Sequence, residues 1–307
     1  MSIAPYLKII GRGKEGARAL DRAQALDLMQ RILEGRVSDL ELGGFALAMR
    51  IKGESAQELD AFVEATMQHT LALASATPAV LLPSYNGARK LPNLTPLLAL
   101  LLARRGVPVL VHGPIADPGR VTSAAVFDAL GLPPVADADA VQARWAAGQP
   151  AFIALEVLNR PLAQLLAVRQ VLGLRNPGHT VAKLLPAVPG GLRVVNHTHP
   201  EYALSLSQYL RDSCADAMLM RGTEGEPVAD CRRQRQFDVY LGGELRTDLG
   251  AEPQDGVLAT LPELPEGIDA ATTAAYIEDL LAGRAPVPAP IERQVDCLLA
   301  ARERMAG

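Results

Sequence analysis

Side chains that could bind phosphate concentrate in three polar segments, each of which follows an apolar run. The segments are residues 83–91 (PSYNGARKL), 112–120 (HGPIADPGR) and 221–235 (RGTEGEPVADCRRQR). Arginine and lysine donate charge-assisted hydrogen bonds to phosphate, and arginine can contact it with two N–H groups at once. If the apolar runs are parallel strands, the segments leave the same edge of one sheet, where ligands of such sheets bind. The sequence therefore predicts a positively charged rim that attracts a polyanion.

The basic residues of these segments and of the middle of the chain are candidates for contacting a nucleic-acid backbone. Neutralising many phosphates releases counterions, so weak contacts add up. Tyr85 is a candidate platform for stacking a base. For any single arginine the alternative interpretation is a solvated surface residue, and the cluster at 232–235 carries more weight than any one member. The candidates are Arg89, Lys90, Lys183, Arg193, Arg221, Arg232, Arg233 and Arg235.

Metal-binding patterns are weak in this sequence. Cys214, Cys231 and Cys297 lack the spacing of a metal site, and His197 and His199 alternate without an evident third ligand. We therefore predict no metal site. Three cysteines without a C-x-x-C pair also favour a reducing, cytoplasmic location.

Composition excludes several classes of protein. The 307 residues are 49% hydrophobic and carry a net charge of -4, which excludes a disordered chain and a wholly basic, histone-like binder. The charge is uneven, with net +3 over residues 169–235 and net -8 over residues 236–307. The apolar run Leu94–Leu102 is too short to span a bilayer, so we expect no membrane association.

Three capping-box patterns near the N-terminus predict short helices that begin at Asp21, Ser38 and Ser55. Each has glutamine or glutamate three residues later, followed by apolar residues at helical spacing. Three such helices form a small helical domain, which we place at residues 1–75. It contains no catalytic cluster, so a packing or dimerisation role is expected.

Residues 76–307 alternate between short apolar runs and helical patterns, which predicts an α/β domain with a mostly parallel sheet. A Pro-rich arm at Gly283–Ile291 precedes a last helix, Glu292–Met305. The predicted strands are Ala79–Leu82, Val107–Val111, Phe152–Leu155, Leu192–Asn196, Ala217–Met220 and Phe237–Leu241. The other predicted helices are Thr95–Arg104, Val121–Leu130, Ala138–Ala147, Leu162–Gly173, Glu201–Arg211 and Ala270–Ala282.

Several motifs resemble the anthranilate phosphoribosyltransferase family, glycosyltransferase family 3. They include YLKIIGRGKEGARALDRAQA, GRVSDLELGGFALAMRIKGES and LLARRGVPVLVHG followed by VFDALG. The motifs GHTVAKLL, HTHPEY and LMRGTEGEPVADCRR are more similar to a side branch that binds nucleic acid and lacks established transferase activity. The resemblance implies a small helical domain, a larger α/β domain and a homodimer formed through the helical domain.

The segments that resemble the family's substrate cleft depart from the enzyme's pattern. Its glycine-rich phosphate loop, GTGGDG, is matched by Pro83-Ser84-Tyr85-Asn86-Gly87-Ala88, with one glycine. Its KHGNR loop is reduced to VHGPI, while Arg169 keeps the place of an arginine that contacts anthranilate. The resemblance thus implies a degenerate cleft made by Tyr85, Asn86, Gly87, Asn93, His112, Gly113, Arg169 and His179.

The family's Mg²⁺ carboxylates, in a GLDE run, are matched by Gly225-Glu226-Pro227-Val228, which lacks both ligands. Glu224 and Glu226 lie close by, but the joint change of loop and acidic pair argues against their replacing those ligands. We therefore expect a non-catalytic homodimer, without cofactor, that binds DNA, and RNA as a further candidate, without sequence preference. The alternative is a Mg²⁺-dependent phosphoribosyltransferase or nucleoside-phosphorylase-like enzyme with altered substrate recognition.

Overall fold

The computed structural model describes residues 2–13 and 15–306, which form two compact units. One unit is helical and comprises Met1–Leu71 and Leu155–Leu185; the other is an α/β unit of Ala72–Ala154 and Pro186–Gly307. The predicted boundary after residue 75 is close, but residues 155–185 were placed in the wrong unit. They pack with the N-terminal helices, and the Asn159 amide donates to the Thr66 carbonyl at 2.8 Å. A long-range contact of this kind leaves no local signal in the sequence.

The three helices predicted from capping boxes are confirmed in the helical unit. All three capping boxes form, with Asp21, Ser38 and Ser55 each accepting the N–H of the third helical residue. The rings of Phe45 and Phe62 pack edge-to-face in its core, 6.2 Å apart. Its helices are α1 (Ala4–Ile10), α2 (Arg22–Leu33), α3 (Asp39–Lys52), α4 (Ala56–Met67), α8 (Leu155–Leu158), α9 (Arg160–Leu172) and α10 (Gly178–Leu184). Helices α1, α8 and α10, of four to seven residues, were not predicted.

The α/β unit contains one seven-stranded sheet in the order β3-β2-β1-β4-β5-β6-β7. The first five strands of that order are parallel, and β6 and β7 are antiparallel. The strands are β1 (Val80–Pro83), β2 (Val109–Gly113), β3 (Ala151–Ala154), β4 (Leu192–His197), β5 (Ala217–Arg221), β6 (Phe237–Leu241) and β7 (Glu244–Leu245). All six predicted strands are confirmed; β7 is an unpredicted two-residue strand.

Helices pack on the sheet of this unit and bury its apolar side chains. They are α5 (Thr95–Ala103), α6 (Ser123–Ala129), α7 (Ala138–Ala146), α11 (Pro200–Asp212), α12 (Ala270–Leu281) and α13 (Ala289–Ala306). Each was predicted, although α13 begins at Ala289 inside the predicted Pro-rich arm, because proline is tolerated in a first helical turn. In the described residues, no helix has the length and apolar character needed to cross a membrane.

The direction of the chain crossovers reverses between β1 and β4, which are neighbours in the sheet. The strands β1, β2, β4 and β5 are parallel, so their carboxyl ends lie at one edge. The loops after β1, β2 and β5 are the three polar segments of the sequence. A crevice at this point of an α/β sheet is where ligands bind.

Candidate functional site

The centre of this edge is the carboxylate of Glu226, which is 1% exposed. Its Oε1 accepts two consecutive backbone N–H groups of the β1–α5 loop, from Asn86 at 2.8 Å and from Gly87 at 2.7 Å. Its Oε2 lies within hydrogen-bond distance of three hydroxyl groups, those of Ser84, Thr95 (3.2 Å) and Ser123 (3.4 Å). The loop therefore forms an anion site, and the chain's own carboxylate occupies it.

A second carboxylate of the β5–β6 loop contacts the same β1–α5 loop. Glu224 Oε2 accepts the N–H groups of Arg89 (2.9 Å), Lys90 (3.0 Å) and Leu91 (3.3 Å). Burial opposes the charged form of Glu224, but these three backbone donors outweigh it and lower the pKa of the carboxyl. The segment 224–226 thus contacts residues 84–91 through two acidic side chains.

Glycine is required where these loops approach one another. Gly87 has φ +65°, and a Cβ there would lie 2.9 Å from the Arg120 Cβ. Gly113, at the end of β2, passes so close to β1 that a Cβ would lie 1.8 Å from the Ser84 carbonyl oxygen. The single glycine left in the first loop is therefore sufficient to direct two N–H groups at one anion.

Arginines at the end of β5 and in the β5–β6 loop line a cavity of about 360 Å³ beside Glu224. Arg232 is paired with Asp230 through two hydrogen bonds, of 3.0 and 3.2 Å. Within the described residues, Arg221, Arg233 and Arg235 form no ion pair with a carboxylate. Burial, followed by the charges of Arg221 and Arg233, lowers the pKa of Arg235. We call the cavity and these four arginines the arginine pocket.

The other predicted basic residues are dispersed. Arg89 and Lys90 are exposed at the same edge of the sheet. Arg193 lies inside β4 and is only 7% exposed, so the expected position on a surface rim is wrong. Its side chain is buried because β4 lies inside the sheet, between β1 and β5. Lys183 lies in α10 and Arg169 in α9, both in the helical unit, and neither lines the arginine pocket.

Tyr85 does not provide the expected stacking platform, because its ring is only 7% exposed. The hydroxyl lies 2.7 Å from Nδ1 of His112, and the two rings meet edge-to-face. Burial lowers the pKa of His112 to about 3, so the imidazole is neutral at pH 7. His179, in the helical unit, also has a pKa lowered to about 3, by burial and then by Arg175. Neither histidine offers a positive charge to phosphate at neutral pH.

The neutral state of His112 predicts a pH dependence of stability. Histidine in the unfolded chain takes up a proton near pH 6.5, whereas folded His112 does so only near pH 3. Stability is therefore greatest above pH 6.5 and falls towards pH 3, by up to about 1.4 kcal/mol per pH unit for this group. Urea unfolding of His112→Gln should show a shallower loss over that range. Exposed His199→Gln is the matched control, and equal slopes for His112→Gln and wild type would contradict the assignment.

Asn93 is the remaining predicted cleft residue, and the structure places it beside the Glu226 site. Its Oδ1 accepts the Thr95 N–H at 3.2 Å, at the start of α5, and its amide donates to the Val121 carbonyl at 3.2 Å. Tyr85, Asn86, Gly87, Asn93, His112 and Gly113 all belong to the α/β unit, whereas Arg169 and His179 belong to the helical unit.

Sequence reasoning missed the roles of Glu224 and Glu226. It weighed both as substitute metal ligands, whereas their oxygens accept N–H and O–H groups. No local signal indicated these roles, because 133 to 140 residues separate the two acids from the N–H groups that they bind. Mg²⁺ needs oxygen lone pairs that are not already engaged. The Glu226 oxygens already accept two N–H groups and lie beside three hydroxyl groups, so this carboxylate does not fit Mg²⁺.

Comparisons of the sequence and of the structure relate this chain to the same group of proteins. Residues 4–70 match the glycosyl transferase family, helical bundle domain. The chain is 41% identical to the uncharacterized protein YbiB of Escherichia coli, over 98% of this chain and 94% of that protein. It is 27% identical to the anthranilate phosphoribosyltransferase of Methanopyrus kandleri, over 88% of this chain and 82% of that enzyme.

Solved structures show the same fold. Anthranilate phosphoribosyltransferase from Thermus thermophilus superposes with a TM-score of 0.73 at 21% identity, covering 100% of this chain and 95% of that one. The enzyme from Saccharomyces cerevisiae, in complex with PRPP and Mg, gives 0.69 at 13% identity, covering 99% and 87%. With its helical unit, its mostly parallel sheet and a relative of 41% identity along nearly its whole length, the chain belongs to the anthranilate phosphoribosyltransferase-like family, glycosyltransferase family 3.

Proposed function

We propose that this protein binds nucleic acid through the arginine pocket and does not transfer a phosphoribosyl group. The observation that carries the proposal is the set of three arginines, Arg221, Arg233 and Arg235, that share one cavity without carboxylate partners in the described part of the chain. Positive charges held close together repel one another, and a bound anion offsets this repulsion. A phosphate backbone supplies such anions at regular intervals.

The pKa of Arg235 supports this interpretation. Its lowering by burial and by the neighbouring arginines means that the local surroundings disfavour its positive charge. A bound phosphate would remove that penalty and accept several guanidinium N–H groups. Exposed Arg89 and Lys90 extend the positive surface from a loop whose backbone is held by Glu224. Arg193 and Tyr85 are buried and are left out of the proposed interface.

Phosphoribosyl transfer is the alternative, since relatives named anthranilate phosphoribosyltransferase match most of the chain. We infer that the present chain has lost that reaction. Glu226 occupies the anion site of the β1–α5 loop, and Pro227 and Val228 follow it where the family has its Mg²⁺ carboxylates. In this proposal the protein binds phosphates through guanidinium groups and uses no Mg²⁺.

We propose that the protein is a homodimer, in which two positive surfaces would engage one long polyanion more tightly than one. Helix α3 carries an apolar stripe at helical spacing, formed by Leu40 (87% exposed), Leu47 (50%) and Ile51 (62%). We expect this stripe to pack against a second copy. Sedimentation equilibrium should give a dimer for the wild type and a monomer for Leu40→Glu/Leu47→Glu, with Val171→Glu on α9 as the control. A monomeric wild type at micromolar concentration would contradict the dimer.

A salt titration tests the binding function itself. A labelled oligonucleotide of arbitrary sequence should bind at low ionic strength, with log K falling linearly as log salt rises. Shuffled sequences should give the same affinity within a few-fold. Absence of binding at low salt would overturn the proposed function.

A further inference from the structure

An acidic segment of the α/β unit contacts the loop that carries the arginines. Residues 252–266, between β7 and α12, form no helix or strand and contain no lysine or arginine. Their acidic side chains are all exposed, and they are Glu252, Asp255, Glu263 and Glu266. We call residues 252–266 the acidic segment. A cluster of negative charges thus accompanies the positive charges of the arginine pocket.

Backbone hydrogen bonds hold the acidic segment against the β5–β6 loop. The Gln254 N–H donates to the Gln234 carbonyl at 3.1 Å, and the Leu258 N–H donates to the Arg232 carbonyl at 2.9 Å. The later residue of the segment bonds to the earlier residue of the loop, so the two stretches run antiparallel. Because these bonds use backbone groups alone, they do not engage the guanidinium groups.

This register places an acidic residue close to two arginines of the pocket. Asp255 directly follows Gln254, and Arg233 and Arg235 flank Gln234, the residue that Gln254 contacts. Backbones joined in this way lie about 5 Å apart. The separation of Asp255 from these arginines is thus comparable with the Debye length, about 10 Å at 0.1 M salt. At that range the charges act on one another, although no ion pair joins them in the described residues.

The acidic segment is anchored at both ends. Ala251, immediately before it, exchanges two backbone hydrogen bonds with Phe237, at 2.9 and 3.1 Å. Shortly after it, the Asp269 side chain caps α12. Prolines within the segment further restrict its backbone. Glu252 and Asp255, close to the first anchor, therefore stay beside the loop when no ligand is bound.

We propose that the acidic segment is a built-in electrostatic competitor that weakens the binding of a polyanion at the arginine pocket. The inference rests on the proposed nucleic-acid binding and adds its regulation. Carboxylates near the arginines reduce the positive potential that attracts phosphates, and they repel the phosphates that bind. Because salt screens exposed charges, this competition is strongest at low ionic strength.

The test is Glu252→Gln/Asp255→Ser, which removes the two acidic groups nearest to Gln254. Both side chains are exposed and form no ion pair within the described chain, so the variant should keep the melting temperature of wild type. Fluorescence anisotropy of a labelled oligonucleotide should show an affinity about three- to tenfold above wild type at about 0.05 M salt. The gain should shrink to less than about twofold at about 0.3 M salt, because screening removes the repulsion.

The first control, Asp128→Ser/Glu303→Gln, changes the net charge by the same amount at exposed positions that do not line the arginine pocket. Asp128 lies in the last turn of α6. Glu303 follows Arg302, whose guanidinium donates to the Pro78 carbonyl before β1. This variant should bind within about twofold of wild type, because its changed charges lie far from the loop.

The second control repeats the neutralisation in Arg233→Ala/Arg235→Ala. The gain in affinity should fall below about twofold in this background, because the polyanion is no longer drawn to that loop. Wild-type affinity in Glu252→Gln/Asp255→Ser, an equal gain in the first control, or a gain that persists without the two arginines would overturn the inference and leave the proposed function standing. Absence of binding by wild type and variant alike at low salt would overturn both.

Discussion

Removing two guanidinium groups from the arginine pocket should weaken nucleic-acid binding by roughly a hundredfold at about 0.1 M salt. The change is Arg233→Ala/Arg235→Ala, at two half-buried arginines that lack carboxylate partners among the described residues. If each contacts one phosphate of a duplex, the slope of log K against log salt becomes shallower by about two. Fluorescence anisotropy of a labelled duplex, titrated at several salt concentrations, measures both quantities.

The matched control removes the same charge from the other edge of the sheet. Arg104 and Arg105 are exposed and follow α5, which runs from the Glu226 site to the amino ends of the strands. Arg104→Ala/Arg105→Ala should keep the wild-type slope. An equal loss in both double variants would mean that net charge alone attracts the polyanion, and the pocket would lose its proposed role.

Loss of the Glu58 side chain should lower the free energy of unfolding by about 3–5 kcal/mol. Glu58 is 0% exposed, in the helical unit. Its carboxylate accepts the N–H of Leu20 at 3.0 Å, the N–H of Ser55 at 2.9 Å and the ammonium of Lys52 at 2.7 Å. Glu58→Ala removes the carboxylate that pairs with the largely buried Lys52 ammonium, which keeps only the Gly53 carbonyl, and breaks one capping box. Urea unfolding followed by circular dichroism measures the change.

Glu64→Ala on the same helix provides the comparison. Glu64 pairs with Arg22 on the surface, where both side chains are nearly half exposed, and such pairs contribute under about 1 kcal/mol. The two variants remove the same group six residues apart. Similar losses for both would show that the Lys52–Glu58 pair contributes no more than an exposed one.

Local patterns predicted most of the secondary structure. The boxes at Asp21, Ser38 and Ser55 begin helices because capping involves residues three positions apart. The six main strands were predicted because buried parallel strands are nearly continuous apolar runs. Local patterns did not predict α10, a seven-residue helix at residues 178–184 that begins after a proline without a side-chain cap.

The candidate site was predicted only in outline. The sequence located the three loops and the arginines at 221–235, since polar residues after apolar runs follow from chain order. It placed Arg193 and Tyr85 on the surface, although both are buried, because burial depends on what packs above a side chain. Likewise, nothing local indicated that Glu226 would accept the Asn86 N–H, because 140 residues separate the two.

By itself, the sequence determined the helical and α/β composition, the family and the supply of basic residues at one end of the sheet. Only the tertiary structure decided that residues 155–185 pack with the N-terminal helices and that Glu226 fills the anion site. It also showed that Arg232 pairs with Asp230, whereas Arg221, Arg233 and Arg235 have no carboxylate partner in the described chain. The physical reason is the distance along the chain between the residues that interact. Helix caps and strand periodicity are properties of neighbouring residues, whereas the environment of a charge is set by segments brought together through folding.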